Sequence, residues 1–262
     1  EFAGKSKFIA DGDDALAQPQ QEDGKDVALA SHGTAVAGII GANPDNGGQA
    51  GIASVLGDKL SVSMTNRFGA AYGGSRRSVP DPSDPTKVTV RGVTWALSGL
   101  QAIEKQIEGG ATVINTSWGN SDAHPEIAAA YRRFFEKMAR DHPNVLFVAS
   151  AGNDGKVLDG PKRCPSGLNL PNMITVGNLE NDGSRRSSSN MAGPNFEVTL
   201  AAPGHGVVSG VGKDGTVDNT SGGTSFATPQ VAATAAMLRS LNPKLTAADL
   251  KRIIVESAGT QV

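Results

Sequence analysis

The sequence is short of several features that would decide its class at once. Its 262 residues include one cysteine, Cys164. That excludes an intrachain disulfide and says little about compartment. There is no charge excess: 24 basic against 26 acidic residues give a formal charge of −2. The electrostatic case for a nucleic-acid or anionic-membrane partner is therefore missing. The pairs Arg76–Arg77, Arg132–Arg133 and Arg185–Arg186 are scattered and read as solvated surface. No apolar run approaches the roughly 18 residues that a membrane span needs. The first residues do not have the pattern of a secretory leader, which leaves a cytosolic protein or a processed piece. No internal repeat, low-complexity tract or linker interrupts the chain, so one domain over residues 1–262 is the economical reading.

What the chain does have is 38% apolar residues, enough for a sizeable core, and 33 glycines, which suit tight strand-to-helix turns. Residues 1–31 are polar and acidic apart from Phe8-Ile9-Ala10. A helix is expected from about Ser31, in "SHGTAVAGIIGA", and a short strand in "KLSVSM" (59–64). Residues 65–88 are rich in Gly, Ser, Pro and Arg and read as a long surface loop. Val93, Leu97, Leu100, Ile103 and Ile107 recur at helical spacing before Gly109-Gly110, a helix with its stop signal. "ATVINTSW", "NVLFVASAGN", "MITVGN" and "EVTLAAPG" read as buried strands. An amphipathic helix is expected from about Pro125 to Asp141, and a last apolar helix from Ser225 to about Leu241, followed by "TAADLKRIIVESA". Apolar strands alternating with helices predict an α/β fold: a mainly parallel central sheet covered on both faces, three layers in all.

In such folds ligands bind at the carboxyl ends of the strands. Three segments place polar side chains at loop-to-helix or strand-to-loop edges: Ser31-His32-Gly33-Thr34, Ser150-Ala151-Gly152-Asn153 and Gly223-Thr224-Ser225. A serine hydroxyl is a poor nucleophile at neutral pH, and a histidine within reach activates it. The charge that builds on the attacked carbonyl oxygen needs fixed donors, such as a helix N-terminal N–H and a side-chain amide. Gly222 and Gly223 let a substrate backbone approach the hydroxyl. Taken singly, Ser225 is a helix cap, His32 a structural histidine and Asn153-Asp154-Gly155 a turn. Only the combination points to acyl transfer.

These segments resemble the subtilisin family of serine proteases. "SHGTAVAGI" (31–39) is similar to its histidine motif and "VINTSWG" (113–119) to its substrate-binding strand. "ASAGNDG" (149–155) is similar to its oxyanion asparagine segment and "GTSFATPQVA" (223–232) to its nucleophile motif, with "LAAPG" (200–204) a further match. The resemblance implies a subtilisin-like α/β peptidase cleaving proteins or peptides. It makes His32 the general base and Ser225 the nucleophile. Asn153 would donate to the oxyanion from its amide, joined by the Ser225 N–H. It implies that Ser117, Trp118 and Gly119 pair with the substrate backbone and that Ser150, Ala151 and Gly152 line the primary pocket. The family requires no cofactor for its chemistry. Many members hold a structural calcium after the histidine helix, where Asp45 and Asn46 supply oxygens here. Family habit favours a secreted or cell-envelope protein with a removed pro-segment as a further partner, although intracellular members exist.

The sequence departs from the family in one place that matters. The third member, an aspartate ending an apolar strand in Asp-Thr-Gly or Asp-Ser-Gly, precedes the histidine. No such motif stands before His32. One expectation is a piece lacking both ends of the domain, with the aspartate upstream of residue 1. A second makes Asp11 the third member. A third is a non-catalytic peptide-binding homologue, and a subtilisin-like transpeptidase is a narrower alternative. Cys164, before Pro165, is expected to be inert packing, with a reactive thiol as the alternative.

Overall fold

Every residue of the strand Leu146–Ser150 is buried, so both of its faces must be covered. Phe147 and Ala149 turn to one side, against the helix Pro125–Asp141, where Tyr131, Phe135 and Met138 are buried. Leu146 and Val148 turn to the other, against the helix Thr224–Leu241 through Ala227, Val231 and Ala235. This period-2 division between two helical layers is what makes the fold a three-layer α/β/α sandwich. The structure is a computed structural model that describes residues 5–9, 21–22, 25–26, 32–46, 50–65, 90–119, 123, 125–160, 162–207, 210–211, 217–218 and 221–259.

In chain order the strands are β1 (Lys5–Ile9), β2 (Gln21–Glu22), β3 (Lys25–Asp26), β4 (Ser61–Thr65), β5 (Val113–Thr116), β6 (Leu146–Ser150), β7 (Met173–Leu179), β8 (Leu200–Pro203), β9 (His205–Val207), β10 (Gly210–Val211), β11 (Val217–Asp218) and β12 (Ser221–Gly222). The helices are α1 (His32–Gly41), α2 (Val90–Glu108), α3 (Pro125–Asp141), α4 (Thr224–Leu241) and α5 (Ala247–Ser257). The main sheet is parallel, in the order β5-β6-β7-β8. A separate parallel pair joins β1 to β4, with Lys5 opposite Ser61.

Several boundaries differ from the sequence expectation. The short strand begins at Ser61, because Leu60 closes the preceding 3-10 segment by donating its N–H to the Gly57 carbonyl at 3.0 Å. The "EVTLAAPG" strand starts only at Leu200, since the Glu197 N–H is drawn to the side chain of Asn169 at 3.1 Å. The last long helix starts one residue early, at Thr224. After it, α5 opens on a reciprocal cap between Thr246 and Asp249. The loop expected at 65–88 lies outside the described residues beyond Thr65.

Candidate active site

The N-terminus of α4 is held by groups that arrive from strand ends far away in sequence. The Gly223 N–H donates to the Gly204 carbonyl at 2.7 Å. A side chain on Gly204 would put its Cβ 2.5 Å from the Gly223 carbonyl oxygen, so the glycine of "LAAPG" permits that contact. Thr224 then grips Asn153. Its N–H and its hydroxyl both donate to Asn153 Oδ1, at 2.8 and 3.1 Å, while the hydroxyl accepts the Gly152 N–H at 3.1 Å. With Oδ1 engaged by the helix end, the Nδ2 donors of Asn153 are the amide's remaining hydrogen-bonding end. They lie beside Gly223, where a Cβ would approach Nδ2 to 3.0 Å. The N–H of Ser225 follows directly, in the first turn of the helix, where a donor has no carbonyl four residues back within the helix.

Pro229 fixes the next contact. It sits inside α4 and has no N–H, so the carbonyl four residues back, that of Ser225, has no helical donor. The Ser117 hydroxyl supplies one at 2.7 Å. Ser117 itself accepts from Asn115 Nδ2 at 2.9 Å, which ties the end of β5 to the serine. Thr228 closes the same turn by donating to the Thr224 carbonyl at 2.6 Å.

His32 opens α1, which packs on α4 through Ala35, Val36, Ile39 and Phe226. Its ring stands 5.4 Å from that of Phe226, the neighbour of Ser225. The imidazole keeps an exposed edge, but loss of water on its covered side pushes its pKa below the ordinary 6.5. That cause acts alone: among the described residues no carboxylate shifts it.

The family model described as the subtilase family matches residues 9–262 of the chain. This chain belongs to the subtilase family. Among curated relatives it is 29% identical to an intracellular serine protease of Paenibacillus polymyxa, with 85% of the chain and 61% of the relative covered. Of the next two relatives it covers 58% and 57%, so the chain spans about three fifths of the length of the curated relatives it matches. Among solved structures, a mutant protease domain of PatA superposes with a TM-score of 0.66 at 22% identity, covering 98% of this chain and 81% of that one. A cold-adapted subtilisin-like serine proteinase superposes at 0.57 with 25% identity, covering 87% and 67%.

Of the residues that sequence reasoning singled out in this subtilase, Ser225, Asn153, Gly152 and Ser117 are linked by direct contacts or adjacency, and His32 joins them through Phe226. Gly119 and Gly152 face one another across a guanidinium described below. Trp118 packs edge-on to Tyr131, with ring centroids 6.1 Å apart. Ser150 and Ala151 are buried, the latter donating its N–H to the Val176 carbonyl at 2.9 Å. Asp45 is exposed in a short 3-10 turn, and its N–H is taken by the side chain of Asn43. Among the described residues no cluster of three His, Cys, Asp or Glu side chains is disposed to hold a metal ion. Asp11 lies outside the described residues. Cys164 is fully buried, and burial pushes its thiol up to about 11, which suits inert packing. No described helix is long and apolar enough to cross a membrane.

Two residues escaped the sequence reading of this subtilase. Buried Asn190 organises the segment that carries Asn153. Its Oδ1 accepts the N–H groups of Asp154 and Lys156, both at 3.1 Å, and its Nδ2 donates to the Ala151 carbonyl and to Asp154, both at 3.0 Å. Arg163 is the other, with only 7% of its side chain exposed. Neither sits in a motif or a periodic stretch, so nothing local announces them.

Proposed function

We propose that the protein is a serine endopeptidase that cleaves peptide bonds through an acyl-enzyme. The observation that carries this is the lock between Asn153 Oδ1 and Thr224 in the first turn of α4, which supports reading the Asn153 amide and the Ser225 N–H as a pair of donors. In this reading neutral His32 takes the Ser225 hydroxyl proton as Oγ attacks the scissile carbonyl. Asn153 Nδ2 and the Ser225 N–H receive the charge that develops on the carbonyl oxygen. His32 returns the proton to the departing amine, and water, activated by the same imidazole, releases the acyl group. Substrate backbone lies along Ser117-Trp118-Gly119 as an added strand. A third member, a carboxylate holding the His32 tautomer, belongs to a strand upstream of residue 1. The protein's own pro-segment is a natural further occupant of such a cleft.

The test is labelling of the full natural chain with a small fluorophosphonate, followed by peptide mapping, alongside turnover of a peptide substrate. The expected outcome is one modification, on Ser225, and loss of turnover in step with it. Absence of both Ser225 labelling and hydrolysis identifies a peptide-binding homologue instead, and a product mass showing a new amide identifies a transpeptidase.

A further inference from the structure

Arg163 reaches into the space between two glycines at neighbouring strand ends. A Cβ on Gly152 would fall 2.0 Å from its Cζ, and one on Gly119 would lie 3.5 Å from its Nη2. Gly119 follows β5 and Gly152 follows β6, which are adjacent strands. Gly152 is bonded to Thr224, and Ser117 to the Ser225 carbonyl. The guanidinium therefore stands between the two walls that flank the serine. Asp154 holds it there through an Nη1 contact at 3.3 Å and is itself braced by Asn190. A cavity of about 290 Å³ borders the same guanidinium, and its charged lining consists of Arg163, Lys156 and Lys162 against Asp154 and Asp159. Asp159 is already engaged by the main-chain and side-chain nitrogens of Asn195, at 3.1 and 2.9 Å.

We propose that Arg163 sets the cleavage-site preference, selecting substrates whose residue contributing the scissile carbonyl carries a carboxylate side chain. This rests on the proteolytic reading. A peptide paired along 117–119 with its carbonyl at Asn153 and Ser225 directs that side chain between Gly119 and Gly152, onto the guanidinium. An apolar side chain would press against a buried charge without offering it an acceptor, and a cationic one is repelled. A carboxylate brings the charge-assisted, planar match that a guanidinium favours. Burial already disfavours the charged guanidinium, so an added anion offsets a standing cost.

The experiment compares rates of Ser225 labelling in the full natural chain by peptidyl phosphonates bearing Glu, Ala, Leu or Lys side chains at the reactive position. The Glu probe is expected to lead the Leu probe by at least about 10-fold. Arg163→Leu should invert that order, and Arg163→Lys should leave Glu ahead by a smaller margin. Asp154→Asn, which removes the competing anion, should widen the lead. A wild-type preference for Leu or Ala overturns the proposal. So does a Glu-to-Leu ratio that stays constant across Arg163→Lys and Asp154→Asn, a comparison that stands even where Arg163→Leu does not fold. Failure of the proteolytic reading has its own signature: a small fluorophosphonate, indifferent to this pocket, then leaves Ser225 unmodified in every variant.

Discussion

Asn153 is oriented by its acceptor end so that its donor end is available, and that asymmetry makes its replacement informative. Asn153→Ala removes one proposed oxyanion donor and leaves the Thr224 N–H to water. The expected loss in kcat is on the order of 10² to 10³, a magnitude known from subtilisin itself, with KM little changed. Steady-state kinetics check it; a change confined to KM would make Asn153 a ground-state contact. His32 supplies the second residue-scale prediction. In the proposed mechanism the base is the neutral imidazole, so activity should rise as pH climbs through its pKa. Burial against Phe226 holds that pKa below the ordinary 6.5. Phe226→Leu admits water to the covered face, raises the pKa toward its ordinary value and moves the acid limb of kcat/KM to higher pH. A limb that stays in place, or moves to lower pH, contradicts the link between that contact and the titration.

At the scale of the element, α4 carries a defect that the site uses. A proline inside a helix ordinarily weakens it by about 3 kcal/mol. Here Pro229 frees the Ser225 carbonyl for Ser117 and so anchors β5 to the serine. Ser117→Ala should therefore destabilise the protein by about 1–2 kcal/mol, because a half-buried carbonyl loses its donor. In a Pro229→Ala background the helix regains its own N–H, and the same change should cost clearly less. Denaturant unfolding of the four proteins in this cycle gives the coupling. Additive effects, within about 0.5 kcal/mol, would separate Pro229 from Ser117. The helix and the serine motif were legible in sequence, because the apolar spacing and the Gly223-Thr224-Ser225 start are local signals. So were α3 and β6, whose patterns have few alternatives. The partnership of Pro229 with Ser117 was not, since the two are brought together only by the sheet. Asn190 and Arg163 were illegible for the same reason: the bonds that give them a role reach 39 residues in the case of Asn190 and Ala151.

At the scale of the molecule, the parallel strands fall into two groups that no described strand joins. β4 pairs only with β1, and β5 pairs only with β6, so each offers a hydrogen-bonding edge uncovered among the described residues. Both groups are covered by the same helix: Val62 of β4 clusters with Ala233 of α4, and Val113 of β5 packs on the α4 cluster. One added parallel strand would unite them, and its carboxyl end would emerge between β4, which lies under the α1–α4 cluster, and β5, which leads to Ser117 and Ser225. In the proposed mechanism the carboxylate that orients His32 ends that strand. β1 is not that strand, because β1 pairs with β4 and not with β5, and Asp11 lies two residues beyond its end. Two variants of the full natural chain decide the matter. Asp11→Asn should leave kcat within a few-fold of the parent. Replacing by asparagine an aspartate that ends an apolar strand upstream of residue 1 should lower kcat by on the order of 10⁴, because the imidazole loses the group that fixes its tautomer and stabilises its cation. The opposite result, a large loss for Asp11→Asn alone, would assign the third member to Asp11 and require β1 to approach β5 when substrate is bound.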